Sequence, residues 1–84
     1  MMDLAIFALL ETLVTKFEYA TVEWLWDVGA LRADLPDGKQ KTAKGEYPAV
    51  VKLLTELGQE GWEVVSCATN ANWLFWTLKR TALR

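Results

Sequence analysis

Apolar and polar residues alternate along three stretches of the chain, and this period of two is typical of β-strands. The first stretch covers residues 16–26, whose aromatic and β-branched side chains favour a strand. The others cover residues 62–69 and 73–80. Between these two lies Asn70-Ala71-Asn72, a connection rich in residues that tolerate a left-handed backbone, so they are predicted to form a β-hairpin.

The apolar spacing changes to that of an α-helix over residues 48–57. Val50, Val51, Leu54 and their neighbours recur at intervals of three and four, which places them on one face. Pro48 suits the first turn of a helix, where its missing N–H costs nothing. Gly58 follows the last apolar position, and we expect it to end the helix in a left-handed conformation.

Residues 1–15 are mostly apolar, and we predict an N-terminal helix from Leu4 to Val14 with Asp3 as its N-cap. Apolar side chains lie on more than one side of this helix, which is typical of a helix buried on more than one side. Even if all of residues 1–14 were helical, they would span only about 21 Å, which is too short to cross a bilayer. We therefore expect no membrane span, and packing against the sheet, a second chain or both.

Residues 16–84 are predicted to form a single β-α-β-β domain, with a flexible loop at residues 35–45 that includes Pro36-Asp37-Gly38. The pattern of residues 27–34 is ambiguous and leaves room for a short extra strand after a turn at Gly29. The fold class is α+β: a small three-stranded, mainly antiparallel sheet with one amphipathic helix on one face, plus the apolar N-terminal helix. The last strand can lie between the other two, or the hairpin can lie at one edge of the sheet. We prefer the first arrangement.

Strand alternation divides the side chains of the sheet between two faces. The face under the helix is predicted to carry Ala20, Val22, Trp24, Trp62, Val64, Leu74, Trp76 and Leu78. The opposite face is predicted to carry Phe17, Tyr19, Val65, Cys67, Trp73 and Phe75. A sheet face left open to water should be polar, and this one is not. We therefore expect the N-terminal helix, a second copy of the chain, or both to cover it.

Composition narrows the possible functions. The chain has 84 residues, five of them tryptophan, and a net charge of −2, which argues against a general nucleic-acid binder. It has no histidine and one cysteine, so it lacks the usual proton shuttle and cannot form an intrachain disulfide. Cys67 lies in an apolar stretch and is expected to be a core thiol. A thiol of this kind favours a reducing compartment, so we predict a cytoplasmic protein.

Candidate chemistry is sparse. Nucleophilic catalysis needs a base next to the nucleophile, and no such pairing is evident, so we predict no catalytic residue and no enzyme. Glu60 and Glu63 bracket the corner between the helix and the first strand of the hairpin, but carboxylates at such a corner more often only solvate a turn. Too few cysteine and histidine residues are present for a zinc site, and no metal or cofactor is predicted.

Three segments of the sequence resemble a family of short bacterial proteins, the domain of unknown function 4177. They are Lys16-Phe17-Glu18-Tyr19, then the run Leu53-Leu54-Thr55-Glu56-Leu57-Gly58-Gln59-Glu60-Gly61-Trp62-Glu63-Val64-Val65-Ser66, and the closing Leu78-Lys79-Arg80. The likeness spans residues 16–80, and the apolar N-terminus and the long connection at residues 28–45 depart from it. It implies a compact domain with a helix on a sheet. It transfers no catalytic residue, because the family has no established activity.

We therefore expect a small protein-interaction or adaptor domain that forms a homodimer or small homo-oligomer, or docks on another protein. The predicted interface residues are Phe7, Leu10, Trp26, Trp73 and Phe75. The alternative is a binder of small ligands or nucleic acid that uses the aromatic sheet face, although the net charge opposes nucleic acid. In that case Lys39, Lys41 and Lys44 would form an anion-binding loop.

Overall fold

The computed structural model describes residues 15–82. The elements are β1 (Phe17–Leu25), β2 (Ala30–Asp34), a short 3-10 turn (Pro36–Gly38), β3 (Gln40–Lys44), α1 (Tyr47–Gln59), β4 (Glu63–Asn70) and β5 (Trp73–Thr81). The strands form one antiparallel sheet in the order β3-β2-β1-β5-β4. The last strand thus lies between β1 and β4, which confirms the arrangement that we preferred.

The predicted three-stranded sheet is wrong, because the connection after β1 contributes two further strands. β2 pairs with β1, and β3 pairs with β2 across what we expected to be a loop at residues 35–45. Backbone pairing rather than an apolar pattern holds β3, whose sequence QKTAK is almost wholly polar. The predicted N-terminal helix lies outside the described residues, so the described fold is α+β, with five strands and one α-helix.

The helix α1 covers one face of the sheet, which we call the helix face. Its residues Val50, Leu53 and Leu57 are buried. They form the core together with Ala20, Val22, Trp24, Leu31, Ala33, Trp62 and Leu78 from the sheet and its connections. Burial of each large apolar side chain stabilises the fold by about 1.5–3 kcal/mol. The core therefore lies under the half of the sheet that contains β1 and β2.

The end of α1 differs from the sequence prediction. The helix continues through Gly58 to Gln59, and Gly61 instead takes the left-handed conformation, with a φ of 94°. Pro48 lies in the first turn, as predicted. The chain then turns at Gly61 and enters β4 two residues later.

A β-bulge in β4 changes the face on which Cys67 lies. The register shifts between Val64 and Ser66, so that Cys67 pairs with Trp76. Directly paired residues share a face, and Trp76 also pairs with the buried Val22. Cys67 therefore lies on the helix side and is exposed, which corrects both the predicted face and the predicted core thiol. One extra residue reverses the alternation beyond it.

Candidate interaction surfaces

The sheet face opposite α1, which we call the open face, carries aromatic side chains on its two central strands. Phe17 and Tyr19 of β1 have 42% and 58% of their surfaces exposed. Tyr19 lies opposite Lys79 of β5, and Leu25 lies opposite Trp73. The register between β1 and β5 therefore brings aromatic residues from distant parts of the chain onto one surface.

Trp73 and Phe75 form a stacked pair on this face. Their ring centroids are 5.3 Å apart and their planes differ by 29°, an arrangement typical of an offset stack. The indole N–H of Trp73 donates a hydrogen bond to Glu23 Oε1 at 3.2 Å. Stacking and this hydrogen bond hold the indole ring in place. We name Phe17, Tyr19, Trp73 and Phe75 the aromatic cluster. Its two pairs lie toward opposite ends of β1, since Tyr19 precedes Glu23, the partner of Phe75, by four residues.

Ion pairs flank the aromatic cluster on the side of β2 and β3. Arg32 Nη2 lies 2.7 Å from Glu23 Oε2, and its Nε lies 3.0 Å from Asp34 Oδ2. Gln40 Nε2 donates a hydrogen bond to Asp34 Oδ1 at 2.7 Å. Exposed pairs of this kind add only about 0–1 kcal/mol each to stability. Their main consequence is that the charge of Arg32 is balanced by two carboxylates.

Lys79 of β5 lies opposite Tyr19, within the aromatic cluster, and is also paired. Its Nζ lies 4.5 Å from the centroid of the Phe17 ring, within the range of a cation–π interaction. The same atom lies 3.8 Å from Glu63 Oε1 on β4. The cation beside the exposed aromatic rings therefore already has both an aromatic and an acidic partner.

The predicted interface residues fall on different surfaces. Trp73 and Phe75 lie together on the open face, whereas the Trp26 ring contacts Trp24 on the helix side, with centroids 6.3 Å apart. Phe7 and Leu10 lie outside the described residues. Alternation along β1 also placed Phe17 and Tyr19 on the open face, although they are not among the predicted interface residues.

The three lysines of the predicted anion-binding loop do not converge. Lys41 and Lys44 lie on opposite faces of β3, because they are three positions apart in a strand. Lys41 Nζ lies 3.6 Å from Glu60 Oε2 near the end of α1. Lys39 precedes the strand. The backbone of β3 thus separates the charges that a shared anion site would need to bring together.

The carboxylates at the corner after α1 also have separate partners. Glu60 pairs with Lys41, and Glu63 pairs with Lys79. In the described part of the chain, no three histidine, cysteine, aspartate or glutamate residues are grouped so that they could hold a metal ion. Within residues 15–82, no helix has the length and apolar character needed to cross a membrane.

No family model, curated protein or solved structure matches this chain. The resemblance to the domain of unknown function 4177 therefore stays a prediction based on the quoted segments.

Proposed function

We propose that the domain is a non-catalytic protein-interaction module that binds another protein through the aromatic cluster of the open face. The observation that carries this proposal is that two aromatic pairs lie on the same open face, the exposed Phe17 and Tyr19 toward one end of β1 and the stacked Trp73 and Phe75 toward the other. No element of residues 15–82 covers this side of the sheet. Cys67 has no disulfide partner within the chain, which supports a reducing compartment such as the cytoplasm.

The aromatic cluster has the properties of an interface hot spot. Aromatic residues dominate the binding free energy of protein interfaces because they bury a large area with few rotatable bonds. The cluster lies on two paired central strands, so little conformational entropy is lost when a partner binds. A rigid ring pair and two exposed rings favour a partner with an apolar surface.

Charged side chains of both signs lie among the rings of the aromatic cluster. Glu23 lies opposite Phe75 and pairs with Arg32, and Lys79 lies opposite Tyr19 and pairs with Glu63. Aromatic rings combined with polar groups of both signs are common in protein interfaces. This pattern supports a protein as the partner rather than a strongly charged ligand.

Nucleic acid is the alternative ligand, because bases can stack on exposed aromatic rings of a sheet. Such a surface also needs cations that are free to contact phosphates. Here Arg32 and Lys79 have carboxylate partners, and Glu23 accepts the hydrogen bond of the Trp73 indole. The negative side chains next to the rings therefore favour protein over nucleic acid.

The test is quantitative affinity capture from an extract of the native cell with three forms of the chain. The first is the unmodified chain, and the second is Phe17→Ser/Tyr19→Ser on the open face. The third is the control Val28→Ser/Val51→Ser, which removes two apolar side chains elsewhere that are at least as exposed as Phe17 and Tyr19. We expect the open-face variant to capture about tenfold less of a partner protein than the unmodified chain does, or even less. A tenfold difference corresponds to about 1.4 kcal/mol of binding free energy. The control should capture as much of this protein as the unmodified chain.

Equal capture by all three forms would contradict the proposal. A parallel titration with single-stranded oligonucleotides at low salt, followed by tryptophan fluorescence, tests the alternative. Binding that the unmodified chain shows and Phe75→Ser loses would favour nucleic acid as the ligand.

A further inference from the structure

The two edge strands of the sheet differ in length and charge. β3 has five residues, and two of them are lysines, which is a common way to discourage pairing with another strand. β4 has eight residues and only one charged side chain, Glu63 at its first position. It contains no proline or glycine. β4 is therefore the edge that offers its backbone groups for pairing.

All eight residues of β4 are exposed, and among residues 15–82 no strand pairs with its outer edge. The bulge lies at its start, so Ser66–Asn70 forms a regular ladder with β5. Val64 and Val65 have 46% and 47% of their surfaces exposed, one residue before this ladder. A long uncharged edge with apolar side chains beside it favours association with a further strand.

We propose that the outer edge of β4 pairs antiparallel with β4 of a second copy of this chain, which gives a continuous ten-stranded sheet. The two copies are related by a two-fold axis perpendicular to the sheet, so each side chain stays on the same face in both copies. The residue at the axis then lies opposite the same residue of the second copy. Cys67 lies on this axis, opposite Cys67 of the second copy, so that Ser66 of each copy lies opposite Ala68 of the other. The paired residues 64–70 have no charged side chain, so no like charges oppose each other.

The occupant is a second copy because this pairing is self-complementary. Glu63, the charged residue of β4, falls beyond the partner's ladder in such a register and meets no second carboxylate. Val64 and Val65 of each copy lie next to the end of the partner's strand, which shields apolar surface that is exposed in the single chain. The same axis leaves both aromatic clusters on one side of the extended sheet, free for another protein.

The first test uses the unmodified chain, since Cys67 is its sole cysteine. A short bis-maleimide reagent should join two copies through Cys67 at micromolar protein concentration, and Cys67→Ser should abolish this product. Sedimentation should show a dimer at the same concentration. A monomer at that concentration, or a dimer that the reagent does not join, would overturn the proposal.

The second test places like charges on the paired strands. Ser66→Lys/Ala68→Lys should weaken the dimer about tenfold or more, because these residues lie opposite each other across the axis. The control Gln40→Lys/Thr42→Lys puts the same charges on the edge strand β3 and should leave the dimer intact. If the β4 variant fails to fold, cross-linking of the unmodified chain still tests whether two β4 strands pair.

The variant Phe17→Ser/Tyr19→Ser separates this proposal from the proposed function. Edge pairing predicts an unchanged dimer, even if the variant loses its partner protein. Loss of the dimer in this variant, with the dimer of Ser66→Lys/Ala68→Lys unaffected, would show that two copies meet face to face and would overturn edge pairing.

Discussion

Gly45 links three elements, so replacing it with alanine should destabilise the domain strongly. Its N–H donates a hydrogen bond to the carbonyl of Gly29 at 2.9 Å, and its own carbonyl accepts one from Trp24 Nε1 at 2.9 Å. Its φ of 147° is one that side chains disfavour. A Cβ at this position would lie 2.6 Å from the Cβ of Ala49 in the first turn of α1.

Two costs add in Gly45→Ala. An unfavourable backbone conformation costs about 1–3 kcal/mol, and overpacking against Ala49 costs about 1–3 kcal/mol more. The free energy of unfolding should therefore fall by about 2–6 kcal/mol. In a domain of this size each kcal/mol lowers the Tm by about 4–8 °C, so a drop of roughly 10 °C or more is expected.

Gly58→Ala is the matched control. Gly58 lies in α1, and a Cβ there would meet no atom within 4 Å. Alanine inside a helix is favoured over glycine by about 0.5–1 kcal/mol, so this variant should be more stable than the unmodified chain. Urea unfolding followed by tryptophan fluorescence measures both variants. A Gly45→Ala variant as stable as the unmodified chain, or a clearly destabilised Gly58→Ala variant, would refute the reasoning.

Two further stability predictions follow from single contacts and can be measured by the same unfolding assay. Trp24→Phe removes the indole N–H and leaves the Gly45 carbonyl without this donor, which should cost about 1–3 kcal/mol; no loss would show that water replaces the bond. Arg80→Lys should cost about 0.5–1.5 kcal/mol, because lysine cannot both cover the Trp62 ring and reach the Glu60 carbonyl as the guanidinium does. An unchanged urea midpoint would argue against this role of Arg80.

The central strands and the helix could be predicted from the sequence because their apolar patterns are strong. Alternation identified β1 and β5, and the three- and four-residue spacing identified α1 with Pro48 in its first turn. β3 could not be found in this way. It is a short polar edge strand, and its position depends on hydrogen bonds to β2 rather than on burial.

The candidate site was predictable only in part. Alternation placed Trp73 and Phe75 on the open face correctly, since no bulge interrupts β5. Cys67 was assigned to the wrong face because the bulge at Val64 adds one residue, and no sequence pattern marks it. The pairing of Arg32 with Glu23 also required β2, a strand of only five residues that the sequence left open.

Photo-cross-linking in the native cell tests the central claim most directly. A photoreactive phenylalanine analogue at position 19 lies in the aromatic cluster, whereas the same analogue at position 51 lies on α1 at a similarly exposed site. The proposed function predicts a covalent adduct with one protein from position 19 that is missing from position 51. Adducts only with nucleic acid, or the same protein adducts from both positions, would contradict it.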